Sequence, residues 1–166
     1  MNKTTRAIAG AALLAISGLA AAATTVTTVD AKNNSIVDGV AADAFLLMAD
    51  TTFSVTATGS WQNDPDSSYL SGPDGHADQT FSYGGSTFDI GALVGEIGSG
   101  PFFQVGSSYT GSTGAGGELK LFYWDSDAFN NSGSVAATVS SIPEPTNMAL
   151  LAAALGAFVL TRRRKA

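Results

Sequence analysis

"TTFSVTATG", residues Thr51 to Gly59, sets Phe53, Val55 and Ala57 on one side of an extended chain and Thr52, Ser54, Thr56 and Thr58 on the other. Successive side chains of a strand point to opposite faces, so this alternation is the pattern of a half-buried β-strand. The same rhythm returns in "GELKLFY", Gly117 to Tyr123, where Leu119, Leu121 and Tyr123 lie opposite Lys120 and Phe122. It recurs more weakly in "GSVAATVS", Gly133 to Ser140. Between these lie "QTFSYGG", "STFDIGALVGEIG" and "PFFQVG", short runs punctuated by Gly, Ser, Asn, Asp and Pro. "VAADAFLLMAD", from Val40, is compatible with a helix or a strand. The spacing predicts a small all-β sandwich of about eight strands, with no internal repeat.

The two ends of the 166-residue chain read differently. "MNKTTRAIAGAALLAISGLAAAA" places Lys3 and Arg6 before an apolar run that closes in small residues. That is the layout of a secretory signal peptide, expected as a helix over 1–23 and removed near Ala23 by signal peptidase. At the other end an apolar stretch from Met148 to Leu160 precedes Arg162, Arg163, Arg164 and Lys165. As a helix it would span roughly 20 Å against a hydrocarbon core of roughly 30 Å, a marginal transmembrane helix. Its basic tail keeps that end cytoplasmic and the preceding chain outside the inner membrane. The expected organisation is therefore signal peptide 1–23, sandwich 24–140 and C-terminal signal 141–166.

Charge narrows the partners. Between Thr24 and Ser141 only Lys32 and Lys120 oppose thirteen Asp and Glu, a net charge of −11. Such a surface repels nucleic acid and anionic lipid and favours cations. The chain has no cysteine, so no disulfide framework supports it in an oxidising compartment.

Little chemistry of the nucleophilic kind is legible. The chain has a single histidine, His76, outside any "GxSxG" context, and no cysteine. Zinc would call for several His or Cys ligands. A pair of carboxylates suited to glycoside hydrolysis stays open, since any two of the acids could be so placed. A hard cation has better material in "YWDSDAFNNSG", Tyr123 to Gly133. Asp125, Asp127, Asn130 and Asn131 offer the carboxylate and carbonyl oxygens that calcium takes. The same residue types also simply make turns, and both readings stand at this point. A second stretch, "GPDGHADQ", places His76 and Gln79 three apart in a turn-rich segment, an imidazole and an amide suited to sugar hydroxyls. Trp61 and Tyr69 lie near these segments, with roles either in packing or in stacking on a sugar.

Taken in order, "TATGSWQNDP", "GPDGHADQ", "GALVGEIGS" and "ELKLFYWDSDAFNNSGSVAATV" resemble the PA-IL-like galactose-binding lectins, across roughly Thr52 to Val139. The resemblance implies a jelly-roll-like sandwich in which a calcium ion bridges protein and sugar. It also implies that Asp125 supplies a carboxylate, Asn130 and Asn131 side-chain oxygens, and Asp127 and Asn63 backbone carbonyls. His76 and Gln79 would bond the sugar's primary hydroxyl, and Asp125 and Asn130 would also face the sugar. The segment from Asp125 to Asn130 is shorter than the family's loop, which makes Asp127 the position where a side chain could replace a carbonyl.

Pro143, Glu144 and Pro145, followed by the apolar stretch and the basic tail, resemble the PEP-CTERM sorting signal of Gram-negative bacteria. That resemblance implies processing by an exosortase and delivery to the cell surface or an extracellular polysaccharide. The combined expectation is an exported, non-enzymatic, calcium-dependent binder of a galactose-containing glycan. A structural matrix protein without a ligand is the alternative. No oligomerisation signal is legible, and an oligomer stays open.

Overall fold

The computed structural model describes residues 22–64 and 70–143. The expected signal-peptide helix, the apolar C-terminal helix, Tyr69, Glu144 and Pro145 lie outside the described residues. Among the described residues the regular structure is all strand: β1 (Ala23–Asp30), β2 (Ala42–Leu47), β3 (Thr51–Gln62), β4 (Leu70–Ser71) and β5 (Asp74–Tyr83) come first. They are followed by β6 (Ser86–Ile97), β7 (Phe103–Gln104), β8 (Ser108–Ser112), β9 (Gly117–Tyr123) and β10 (Ser132–Pro143). The ambiguous segment after Val40 is thus a strand, β2.

Two five-stranded antiparallel sheets form the sandwich. One runs β1-β10-β3-β4 with β8 also on β3, and the other runs β2-β9-β6-β5 with β7 also on β6. The alternation in "TTFSVTATG" is what the first sheet uses. Val139 pairs with Val55 and Ala137 with Ala57, and all four are buried. Leu93, Leu119, Leu121 and Tyr123 answer them from the second sheet, with Phe53, Val29 and Trp61 completing one core. Burial of each large apolar side chain stabilises by roughly 1.5–3 kcal/mol, which is what holds the register.

The second sheet is covered on its outer side as well. Ala92, Val94 and Trp124 are buried there with Ile36, under Phe81, Phe88, Phe102 and Phe122. Trp124 is fixed by its indole Nε1, which donates to the Phe81 carbonyl at 2.8 Å. Because β6 is buried on both faces from Gly91 to Gly95, the period-two pattern disappears along "GALVG".

β10 continues to Pro143, which pairs with Thr51, and Ser141 is buried. The sandwich therefore extends three residues past the boundary expected at 140.

Candidate functional site

β9 delivers the chain to the end of the second sheet, and β10 takes it up in the first. The loop Trp124–Asn131 crosses between them. Its side chains alternate between burial and exposure. Trp124, Asp125, Ala128 and Asn131 are buried, whereas Ser126, Asp127 and Phe129 are exposed. Gly133 follows with a φ of +86°, and a Cβ there would stand 2.8 Å from the Ser60 carbonyl oxygen. Only glycine lets the chain turn from the loop onto β3 this closely.

Hydrogen bonds hold the loop. The Asn131 side-chain Nδ2 donates to the Asp127 carbonyl at 2.7 Å and to the Ala31 carbonyl at 3.3 Å. Ser35 Oγ donates to the same Asp127 carbonyl at 3.3 Å. The Phe129 N–H donates to Asp127 Oδ1 at 3.1 Å, and the Ser126 N–H to Asp125 Oδ1 at 2.6 Å. The segment between β1 and β2 is thereby the brace for the loop, also through the Tyr123 N–H to the Asn34 carbonyl at 2.9 Å.

Asn63, Asp64, Gln79, Asp125, Asp127 and Asn130 line one open cavity of about 260 Å³, with Ser126 and Ile90 completing the lining. Five of the seven residues expected to bind metal or sugar thus meet there: Asn63 from the end of β3, Gln79 from β5, and three from the loop. Asn131 lies buried within the loop. His76 is half-buried on β5 opposite Ile90, and it is not among the cavity's lining. The segment expected to be turn-rich is largely strand, with a register shift between His76 and Thr80 that sets Gln79 within a bulge. Gly75, at φ +83°, lets β5 come close to β6, where a Cβ would stand 2.8 Å from the Ala92 nitrogen. Trp61 belongs to the core. It is wholly buried, and its Nε1 donates to the Gly91 carbonyl at 2.7 Å and the Gly72 carbonyl at 3.2 Å.

The electrostatics of the loop ask for a positive charge. Asp125 is only 4% exposed. Burial raises its carboxyl pKa to about 6, and the neighbouring Asp127 charge adds to the rise. The Ser126 N–H, the Asn131 side chain and the Ser126 hydroxyl act in the opposite direction. Burial, with the Asp125 and Asp127 charges, also pushes the Tyr123 phenol far above its ordinary range, so it stays protonated. No Lys or Arg lines the cavity.

Among the described residues five buried side-chain oxygens have no hydrogen-bond partner, and besides the Ser71 and Tyr123 hydroxyls these are Asn63 Oδ1, Asn130 Oδ1 and Asn131 Oδ1. Leaving a buried acceptor unpaired costs about 1–3 kcal/mol, so three around one acidic loop call for a ligand. The donor set is oxygen only, which fits a hard cation such as calcium. Among the described residues no three His, Asp or Glu side chains cluster as a metal site, so amide oxygens would have to supply much of the coordination. The Asp127 carbonyl already accepts two hydrogen bonds, which leaves its carboxylate as the freer donor toward the cavity.

Asp64, Ser126 and Ile90 join the lining without having been singled out in the sequence. Asp64 and Ser126 sit inside the quoted "WQNDP" and "DSD" and were within reach of the same argument. Ile90 is a strand residue with no local signal.

No protein-family model matches the chain, and no curated protein matches it. Among solved structures the chain is similar to one described as "EclA N-terminal domain; PllA-like lectin". The identity is 27%, the match covers 71% of this chain and 96% of that one, and the TM-score is 0.52. Two antiparallel sheets in this arrangement, over nearly the whole of a lectin domain, give the chain a lectin-like β-sandwich fold.

Proposed function

We propose that this is an exported, non-enzymatic carbohydrate-binding protein that takes a galactose-like sugar with the help of calcium. The observation that carries the reading is the set of unpartnered buried oxygens on Asn63, Asn130 and Asn131 beside the buried Asp125 carboxylate. Asp125, Asn130, Asn131, Asn63 and the Asp127 carboxylate would hold the ion. A bound calcium would offer its remaining coordination positions to two adjacent sugar hydroxyls. Gln79, at the cavity's wall, has both a donor and an acceptor for a further hydroxyl, and His76 stands on the same strand. The lectin-like fold neighbour supports glycan recognition in general.

Calorimetric titration of the sandwich with methyl galactoside, in calcium and in chelator, tests the reading. Binding confined to calcium supports it, and no binding by a folded domain in either condition rejects it.

One observation favours a second reading, a ligand-free scaffold of an extracellular polysaccharide layer. The Asp127 carbonyl, which the lectin resemblance would give to the metal, is held by Asn131 and Ser35. Calcium without effect on stability or on polysaccharide association would favour this alternative.

The route outward is proposed from the sequence ends: signal peptidase cleavage near Ala23, transient inner-membrane anchoring, then exosortase processing near Pro143, Glu144 and Pro145. Replacing Glu144 and following the protein by cell fractionation tests it. Unchanged release to the surface would reject the motif's role.

A further inference from the structure

Phe129 is the most exposed of the large apolar side chains among the described residues, at 89%. Its exposure is imposed by the loop. On one side Ala128 is tucked inward at 9% exposure, on the other Asn130 lines the cavity and Asn131 is buried. The Phe129 N–H is tied to Asp127 Oδ1, so the backbone cannot simply rotate the ring under cover. A turn at this position needs no aromatic residue, and a ring 89% exposed gains little from burial.

Lys32 supports the ring. Its Nζ lies 6.0 Å from the ring centroid, within the range of a cation–π contact. Of the two basic side chains among the described residues, Lys120 is engaged with Glu96 at 3.7 Å and with the Gly98 carbonyl at 3.2 Å. The other therefore stands against Phe129, and at 89% exposure the ring still presents open surface to solvent.

The cavity between Asn63 and Asp125, at about 260 Å³, is on the scale of one sugar ring. Phe129 stands in the chain between Asp127 and Asn130, both of which line the cavity, so a glycan that leaves the cavity on the loop side meets its exposed ring. We infer that Phe129 is a specificity-determining residue: a stacking platform for the C–H face of the sugar next to the one held in the cavity. The inference rests on the proposed sugar-binding reading of that cavity. It extends the ligand class from a monosaccharide to a galactose-terminated chain of at least two sugars.

The test is calorimetry in calcium with methyl galactoside and with two galactosyl disaccharides, one α-linked and one β-linked. It is run on the wild-type protein, Phe129→Ala and Phe129→Trp. The expected result is that at least one disaccharide binds the wild type about three- to tenfold more tightly than the monosaccharide. Phe129→Ala should bring that ratio to about one, and Phe129→Trp should retain it. A thermal melt of each variant accompanies the titrations. A ratio near one in the wild type, or a ratio that survives Phe129→Ala, overturns the inference while leaving the cavity reading intact. Absence of binding by all three sugars overturns both.

Discussion

Asn131 Nδ2 donates to the Asp127 carbonyl across 2.7 Å, and this bond decides which oxygens of the loop remain uncommitted. With the nitrogen engaged on Asp127 and Ala31, the Asn131 Oδ1 is left buried and unpartnered. The same bond draws the Asp127 carbonyl away from the role the lectin resemblance assigns it. Asn131 is thus both a brace for the loop and a candidate ligand, and a substitution there should separate the two.

Asn131→Ala removes the side-chain donor to the Ala31 carbonyl and leaves the Asp127 carbonyl with the Ser35 hydroxyl alone. The expected cost is on the order of 1–3 kcal/mol, read by urea denaturation in chelator. Calcium should then raise the melting temperature of the wild type but not of this variant. Equal calcium shifts in both would remove Asn131 from the ion's site.

Acidity should act oppositely on the metal-free and calcium-loaded states. Asp125 has a folded pKa of about 6 against an ordinary 3.8. A raised folded pKa means that the native state binds the proton more tightly than the unfolded chain does. Without calcium, its contribution to stability is therefore fully present below about pH 3.8 and is lost as pH rises through about 6. Calcium requires the carboxylate, so its stabilising effect should fade as pH drops below about 6. Thermal melts from pH 8 to 4, with Asp125→Asn as the reference, check both signs. A calcium shift in the wild type that is unchanged at pH 4 would contradict the assignment of Asp125.

Gly133→Ala places a methyl group 2.8 Å from the Ser60 carbonyl at a φ of +86°. Backbone strain of this kind costs on the order of 1–3 kcal/mol, with the steric clash in addition. Chemical denaturation should show the loss. An alanine variant as stable as the wild type would mean that the β10–β3 contact yields easily.

Trp61→Phe should weaken the fold and leave sugar binding in place. The indole loses its bonds to the Gly91 and Gly72 carbonyls, for roughly 1–3 kcal/mol. If instead stability is unchanged and sugar affinity falls, Trp61 belongs to the site and its buried position misleads.

The strands that alternate were legible because each buries one face fully and the other at most in part. Phe53, Val55 and Ala57, and Leu119, Leu121 and Tyr123, are all interior. β1 left a weaker trace, since along this sheet edge only Val29 is buried. β6 lost its period where the aromatic layer of Phe81, Phe88 and Phe102 covers its outer face. Those aromatics are scattered in sequence and meet only through the hairpin and the turn after β6. "GPDGHADQ" read as turn because Pro, Asp and Gly dominate it, but pairing with β6 overrides that composition. For the site, residue types in "DSDAFNN" pointed to an oxygen-lined loop. Which oxygens the brace from Ala31 and Ser35 would consume is a long-range fact that no local pattern carries.

In the proposed function calcium and sugar meet at the loop from Asp125 to Asn131. The most direct measurement is calorimetric titration of the wild-type sandwich with methyl galactoside in calcium, in chelator, and after calcium is restored. Measurable binding is expected in calcium, at least about tenfold weaker binding in chelator, and full recovery when calcium is restored. Binding of equal strength with and without calcium, or none from a folded domain in any condition, would contradict it.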